Sequence, residues 1–366
     1  MSKPVVIGWD IGGAHLKAVV LDKNGAPLNY IQLPCQLWRG LNELENAFKS
    51  VFKQIRVTPN DVLQAVTMTG ELVDLFSNRH TGVCEIAKSA VALLGQNTFF
   101  YAANNGFVQY RNVAKHAMKI ASTNWHASAS LLGRYVSDAL LIDIGSTTSD
   151  IIPIAQSRVA TQALSDASRM QNDMLVYTGV VRTPIMALAQ KLPLNSSGEE
   201  VEMNVAAEYF ATMADVYRLT GELPLAKDMA ETADGKGKTQ HESARRLARM
   251  VGYDIEDKPI ETWLKLAVSC RALQLKQLKL AVLKHLKPNM SIIGAGAGSF
   301  LVNALATELD CEYFALSDIL KSTDLQSNFA QIQPLNDLQQ ADLEMCFTAY
   351  AVAHLALANQ MFNKAV

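Results

Sequence analysis

Two segments of this sequence are built alike. Pro4 to Asp10 reads as a buried strand, Ile11-Gly12-Gly13 as a turn and His15 to Asp22 as a second strand; Leu140 to Asp143, Ile144 to Ser149 and Asp150 to Ile154 repeat that order. In both copies an aspartate closes an apolar strand and leads into a glycine-bearing turn. A duplication of this kind constrains the architecture more than any single pattern does. Each copy is the opening hairpin of a sheet, and each sheet needs its own helices to cover it. The 366 residues fit two domains at ~100–200 residues each. The expected boundary falls at 137/138, with one lobe over 1–137 and the other over 138–366.

The rest of the chain fills in two α/β lobes. Asn24-Gly25 marks a hairpin, and Pro27 to Pro34 makes a third strand. Leu41, Leu44, Phe48, Val51, Phe52 and Ile55 recur at helical spacing. Further strands are expected at Val62–Thr69 and Phe99–Ala102. Helices are expected near Glu85–Leu94, closed by Gly95, and from Trp125 with Asn124 as a cap. From about 165 to 285 the pattern reads as a helical insertion, with Pro184 at a first helical position and a Thr239/Glu242 capping box. Within it, 223–237 reads as an exposed loop. A strand at Ser291–Ile293 then runs into Gly294-Ala295-Gly296-Ala297-Gly298, followed by a helix, a strand at Cys311–Leu316 and a long terminal helix.

Composition narrows the function classes. The chain has 33 Lys and Arg against 35 Asp and Glu, a formal net charge of −2. That leaves no basic excess for nucleic acid or for a polybasic membrane contact. Hydrophobic residues make up 49%, which excludes a disordered chain. Five cysteines (Cys35, Cys84, Cys270, Cys311, Cys346) lie too far apart for a disulfide framework or a C-x-x-C zinc site. The apolar run Ala349 to Ala358 is about half the ~20 residues a spanning helix needs. The sequence opens on Val5-Val6-Ile7 without a signal-peptide pattern. The expectation is a cytoplasmic protein with small-molecule partners and neither nucleic acid nor membrane.

The turns carry the chemistry. A glycine turn between two strands exposes backbone N–H groups to phosphate oxygens, and a carboxylate at the strand end suits Mg²⁺. Gly12, Gly13, Gly145, Ser146, Thr147 and Thr148 are therefore candidate phosphate-binding residues, and Asp10 and Asp143 candidate metal ligands. One D-x-G-G turn alone reads equally as a tight hairpin; two copies, joined by Gly294, Gly296 and Gly298 after a strand, make the signal. A dinucleotide fingerprint at 294–298 fails on spacing.

The triple arrangement resembles the ASKHA superfamily of sugar and acetate kinases, Hsp70-type ATPase domains and actin. That resemblance implies two ribonuclease-H-like lobes flanking the phosphates, with the third glycine turn approaching an adenosine, so the active cleft is expected between the turns at 10–17 and 143–150. Asp143-Ile-Gly-Ser-Thr-Thr-Ser-Asp150 looks like the hydantoinase/oxoprolinase branch, although Ser146 replaces a second glycine and Ser149 a threonine. Further motifs are Gly8-Trp9-Asp10, Met68-Thr-Gly-Glu71, Asn124-Trp125-His-Ala, Val176-Tyr-Thr-Gly179, Arg182-Thr-Pro184, Ala207-Glu-Tyr-Phe-Ala-Thr212 and Ala244-Arg-Arg-Leu-Ala-Arg-Met250. Together these resemble the methanofuran-biosynthesis condensing enzymes (furan-methanamine synthases), also described as tetrahydromethanopterin-linked C1-transfer pathway proteins. The likeness spans roughly 5–300.

It implies a transferase that joins an aminomethyl-furan-methyl diphosphate to the phenol of γ-glutamyltyramine or a tyrosine-derived acceptor and releases pyrophosphate. Mg²⁺ on Asp10 and Asp143, with Asp150 as a further candidate ligand, would neutralise the leaving group. Lys17 and Arg182 would clamp it, and Glu71 is the candidate base for a phenol of pKa near 10. Lys17 also reads as an exposed strand residue, and Arg182 as the partner of an acidic neighbour. Arg245, Arg246 and Arg249 read as a solvated helix face, Asp228 and Asp234 as a solvated loop pair. His126, His354 and Trp125 read as structural. Two other functions fit the turns alone: an ATP-dependent small-molecule kinase or hydantoinase-type enzyme, and a nucleotide-gated interaction protein.

Overall fold

Strong β-formers flank Gly8, and β1 (Pro4–Ile11) is accordingly a strand buried from Val6 onward. The computed structural model describes residues 3–196, 199–223, 227–321 and 342–363. Its contacts divide the chain into two units, one comprising Met1–Asp138, Ile154–Ser168 and Leu316–Val366, the other Ala139–Pro153 and Arg169–Ala315. The expected boundary at 137/138 separates the opening hairpins, but 154–168 and 316–366 group with the first unit rather than the second. The terminal helix Phe347–Asn363 packs on β1. A Cβ at Gly8 would strike the Ala349 carbonyl oxygen and the Ala353 methyl, so only glycine admits this helix so close.

In the first unit β2 (His15–Asp22) and β3 (Pro27–Pro34) extend β1 as antiparallel strands. On the other side come β4 (Leu63–Met68) and β5 (Thr98–Tyr101), both parallel, and β6 (Phe107–Gln109), antiparallel. The order is β3-β2-β1-β4-β5-β6. Alternation along β1 sends Ile7, Trp9 and Ile11 into a core with Leu44, Phe48 and Val51 of α1 (Leu41–Ile55) and Val83 and Ile86 of α2 (Arg79–Leu94). Asp10 shares its face with Gly8. Helix α2 begins six residues before the sequence pattern shows it, because the Asn78 side chain accepts the Thr81 N–H and caps it there.

In the second sheet β7 (Ala139–Ile144) and β8 (Ser149–Ala155) form the second hairpin, the two-residue β9 (Arg158–Val159) pairs with the end of β8, β10 (Leu175–Val176) lies beyond β8, and β13 (Ser291–Ala295) and β14 (Tyr313–Ala315) run parallel beyond β7. The order β10-β8-β7-β13-β14 repeats that of the first sheet strand for strand through its fifth member. The two sheets give the duplicated ribonuclease-H-like, ASKHA-type α/β fold.

The region 165–285 is not wholly helical. Leu192 and Leu194 alternate into the core, and residues Lys191–Ser196 and Glu199–Asn204 pair as an antiparallel hairpin, β11 and β12. Pro184 sits just before the short helix Ile185–Leu188 rather than at its first position. The Thr239/Glu242 capping box forms as expected. Among the described residues no helix is long and apolar enough to cross a membrane.

Candidate functional site

In the first unit the β1–β2 register sets Asp10 opposite Lys17, and the β1–β4 register sets it opposite Thr67. Directly paired residues share a face of a sheet, so the three lie in one row. Lys17 Nζ stands 3.7 Å from Asp10 Oδ2, while Asp10 Oδ1 and Thr67 Oγ1 are buried without a hydrogen-bond partner among the described residues. Burial raises the Asp10 pKa against the opposing pull of the Lys17 charge. A carboxylate oxygen left unpaired in a buried place costs stability, and in a strand-end aspartate beside a turn it points to a ligand. Gly12 N–H closes the turn on His15 O at 3.0 Å. Neither Gly12 nor Gly13 has positive φ; a Cβ on Gly13 would meet Val73 at 2.8 Å, so close packing rather than backbone strain selects glycine there.

Glu71 follows β4 in a single 3-10 turn, Gly70–Leu72, and is 2% exposed. Its Oε1 accepts a 2.7 Å hydrogen bond from Ser122, a residue held at φ +51, and its Oε2 has no hydrogen-bond partner among the described residues. Burial pushes its pKa up to about 7, with the Ser122 bond opposing. Arg79, paired at 2.8 Å with buried Asp166, adds a smaller lowering influence. A carboxyl group poised near neutrality suits proton transfer. The folded protein holds the Glu71 proton between about pH 4.5 and 7 and the unfolded chain does not, so ionisation lowers stability as pH rises through that window. Glu71→Gln should flatten that slope and raise stability at pH 8 by roughly 3 kcal/mol. Denaturant titrations of both proteins at pH 5 and pH 8 measure it; equal slopes would contradict the burial argument.

The second turn has the same closure, Gly145 N–H to Thr148 O at 2.8 Å. Ser146 is exposed and Thr147 and Thr148 half-exposed. The segment 179–182 supports this turn from beneath. The N–H groups of Gly179, Val180, Val181 and Arg182 donate to the carbonyls of Thr147, Gly145, Ser146 and Ser146 at 2.8–3.1 Å. With its carbonyls and the Gly145 N–H engaged, the other N–H groups of the turn are the ones suited to an anion. The Arg182 backbone is thereby anchored beside the turn while its side chain is exposed. A buried chain holds the support in place: Tyr217 donates to Gln274, whose amide donates to Thr178 Oγ1 at 2.8 Å and Gly179 O at 3.0 Å, and Ser149 Oγ donates to Thr178 O at 2.7 Å.

Asp143 ends β7 as Asp10 ends β1. The third glycine run splits. Gly294 lies inside β13 against the Tyr313 ring, Gly296 (φ +83) turns the chain, and Gly298 N–H donates to Ile144 O at 2.8 Å at the start of the helix Ser299–Glu308. A Cβ on Gly296 would collide with Asp143 Oδ1, so Gly296 and the carboxylate are in direct contact.

Other readings change. Asp150 is ion-paired with buried Arg169, which turns it from candidate metal ligand into a structural partner. Arg246 is not on a solvated face: it is fully buried and bonded to Asp215 and Asp234. Asp228 is likewise held by Arg218, through Nε and Nη2 at 2.7 Å each, and by Lys238. His126 is satisfied by Tyr101, Ser130 and Asn104, and Trp125 is core. No group of three or more His, Cys, Asp or Glu fit for a metal occurs among the described residues. Mg²⁺ bound mainly through a substrate diphosphate needs only one or two carboxylates, and the orphaned Asp10 oxygen fits that use.

A family model described as hydantoinase/oxoprolinase matches residues 63–321. A furan-2-yl-methanamine synthase of Methanocaldococcus jannaschii, named for a product with a γ-glutamylaminoethyl-phenoxymethyl arm, is 29% identical over 255 residues, 69% of this chain and 73% of the relative. The synthase of that name from Methanococcus vannielii is 29% identical over 131 residues, 36% of this chain and 57% of the relative. Nucleotide-free acetone carboxylase superposes with a TM-score of 0.50 at 10% identity, over 84% of this chain and 67% of that one. The chain belongs to the hydantoinase/oxoprolinase family.

Proposed function

We propose that this protein is a transferase that condenses an aminomethyl-furan-methyl diphosphate with the phenol of γ-glutamyltyramine or a tyrosine-derived acceptor, in methanofuran or methylofuran cofactor biosynthesis. The observation that carries the reading is the similarity to synthases named for the corresponding phenoxymethyl-furan product. The phosphate-suited turns of both units support it.

The bond from the furan methylene to the diphosphate oxygen breaks, and pyrophosphate leaves with the electron pair. The phenol oxygen forms the new carbon–oxygen bond, and its proton passes to Glu71. A furan-stabilised methylene cation makes this ionisation accessible once the leaving charge is offset. Lys17 supplies positive charge beside Asp10, and Arg182 a planar fork suited to phosphate oxygens. The Gly145–Thr148 turn presents N–H and hydroxyl donors. Mg²⁺, when bound, would add charge neutralisation at the diphosphate, and in the first unit Asp10, with its unpartnered oxygen, is the carboxylate suited to hold it. Glu71 accepts a proton best above its pKa of about 7.

Incubation with both substrates and mass spectrometry of the products tests this reading. The aryl ether is expected in step with pyrophosphate. A phosphorylated acceptor formed from ATP, with no ether, would replace the reading with that of a kinase.

A further inference from the structure

The two hairpins differ at one chemically decisive position. Where the first carries Lys17 opposite its aspartate, the second carries Asp150, which is committed to Arg169. By sequence correspondence alone, the second turn has an acid but no lysine. The structure supplies one from elsewhere in the same unit. Lys227 Nζ donates to the carbonyl oxygen of Gly296 at 3.3 Å, and Gly296 is the residue whose missing Cβ leaves room for Asp143 Oδ1.

The position of Lys227 is imposed. Its neighbour Asp228 receives both the Nε and Nη2 donors of Arg218 at 2.7 Å, and Lys238 Nζ lies 3.3 Å from the same carboxylate. Arg218 in turn is bonded to Asp215, which also receives Arg246 at 2.8 Å. Further along the segment, Asp234 accepts from Arg246 at 3.0 Å. The fork geometry of Arg218 fixes orientation as well as distance, so the backbone that launches the Lys227 side chain is held at a buried, charged anchor.

We infer that Lys227 is a diphosphate-binding residue, the counterpart in the second unit of Lys17. It holds an ammonium group at the carbonyl of Gly296, the glycine in contact with the Asp143 carboxylate and three residues before the Ser299–Glu308 helix, where it takes one phosphoryl group of a diphosphate. The inference rests on the diphosphate reading proposed above. Arg218 and Asp228 act through it as positioning residues.

Calorimetric titration with inorganic pyrophosphate, with Mg²⁺ present, tests this directly. Lys227→Ala should weaken binding about tenfold or more, the loss expected for one charge-assisted contact. Lys227→Arg should bind within a few-fold of the parent. Lys236→Ala removes the same charge from an exposed place in the same segment and should leave binding unchanged. Lys227→Ala binding as tightly as the parent overturns the assignment and leaves the diphosphate reading standing. Equal losses in Lys227→Ala and Lys236→Ala reduce the effect to net charge and also overturn it. If the parent binds no pyrophosphate while keeping its fold by circular dichroism, the diphosphate reading itself fails and the assignment with it.

Discussion

Asp10→Asn should lower acceptor-dependent pyrophosphate release about a thousandfold or more and leave the fold at least as stable as the parent. Both expectations come from one observation. Asp10 is 5% exposed, one of its oxygens has no partner among the described residues, and burial outweighs Lys17 in setting its pKa. An ionised carboxylate in that place costs folding free energy, and asparagine of the same size removes the cost. A residue kept at the expense of stability is one used for binding or chemistry. The measurement pairs steady-state rates with thermal melting at pH 7.5. Loss of activity with an unchanged or higher melting temperature fits; loss of both would make Asp10 a structural residue.

The second large effect lies outside both turns. Gly179→Ala should cost roughly 2–4 kcal/mol of stability and sharply weaken pyrophosphate binding, whereas Gly145→Ala, inside the turn, should fold normally. A Cβ at Gly179 would fall 2.5 Å from Ser146 C and Thr147 N and 2.6 Å from Gly145 O, all backbone atoms that no rotamer change can move. At Gly145 the same atom meets only Thr148 O, at an ordinary 3.4 Å. Neither glycine has positive φ, so the contrast is one of space. Displacing Gly179 also breaks the N–H donors that hold the turn's carbonyls. Chemical denaturation of the two variants, followed by pyrophosphate titration, checks the order; Gly145→Ala proving the more damaging would contradict it.

Much of this was legible in the sequence. The duplicated hairpins, their aspartates and the strands His15–Asp22 and Pro27–Pro34 follow from short-range alternation and turn chemistry, which act within a few residues. The chain of ion pairs through Asp228, Arg218, Asp215, Arg246 and Asp234 was not legible, because its pairs reach as far as Asp215 to Arg246 and a charge run reads locally as a solvated face. Gly179 appeared only as part of a motif, since its role is backbone contact with a turn distant in sequence. The hairpin Lys191–Ser196 with Glu199–Asn204 was hidden in a region of helical pattern, with the two-residue period marked only over short runs, Leu192 and Leu194 in one strand and Val201 and Met203 in the other. Glu71 was found by its place at a strand end, but the Ser122 contact that orients it depends on an unusual backbone angle that sequence does not announce.

The proposed function requires that the diphosphate of a furan-methyl substrate, and not ATP, is the group activated. The direct measurement is pyrophosphate release by the purified protein with Mg²⁺, aminomethyl-furan-methyl diphosphate and γ-glutamyltyramine, run beside ATP hydrolysis under the same conditions. Acceptor-dependent pyrophosphate with no consumption of ATP is the predicted result. ATP turnover with no pyrophosphate from the furan substrate would rule out the proposed transferase and leave nucleotide chemistry in its place.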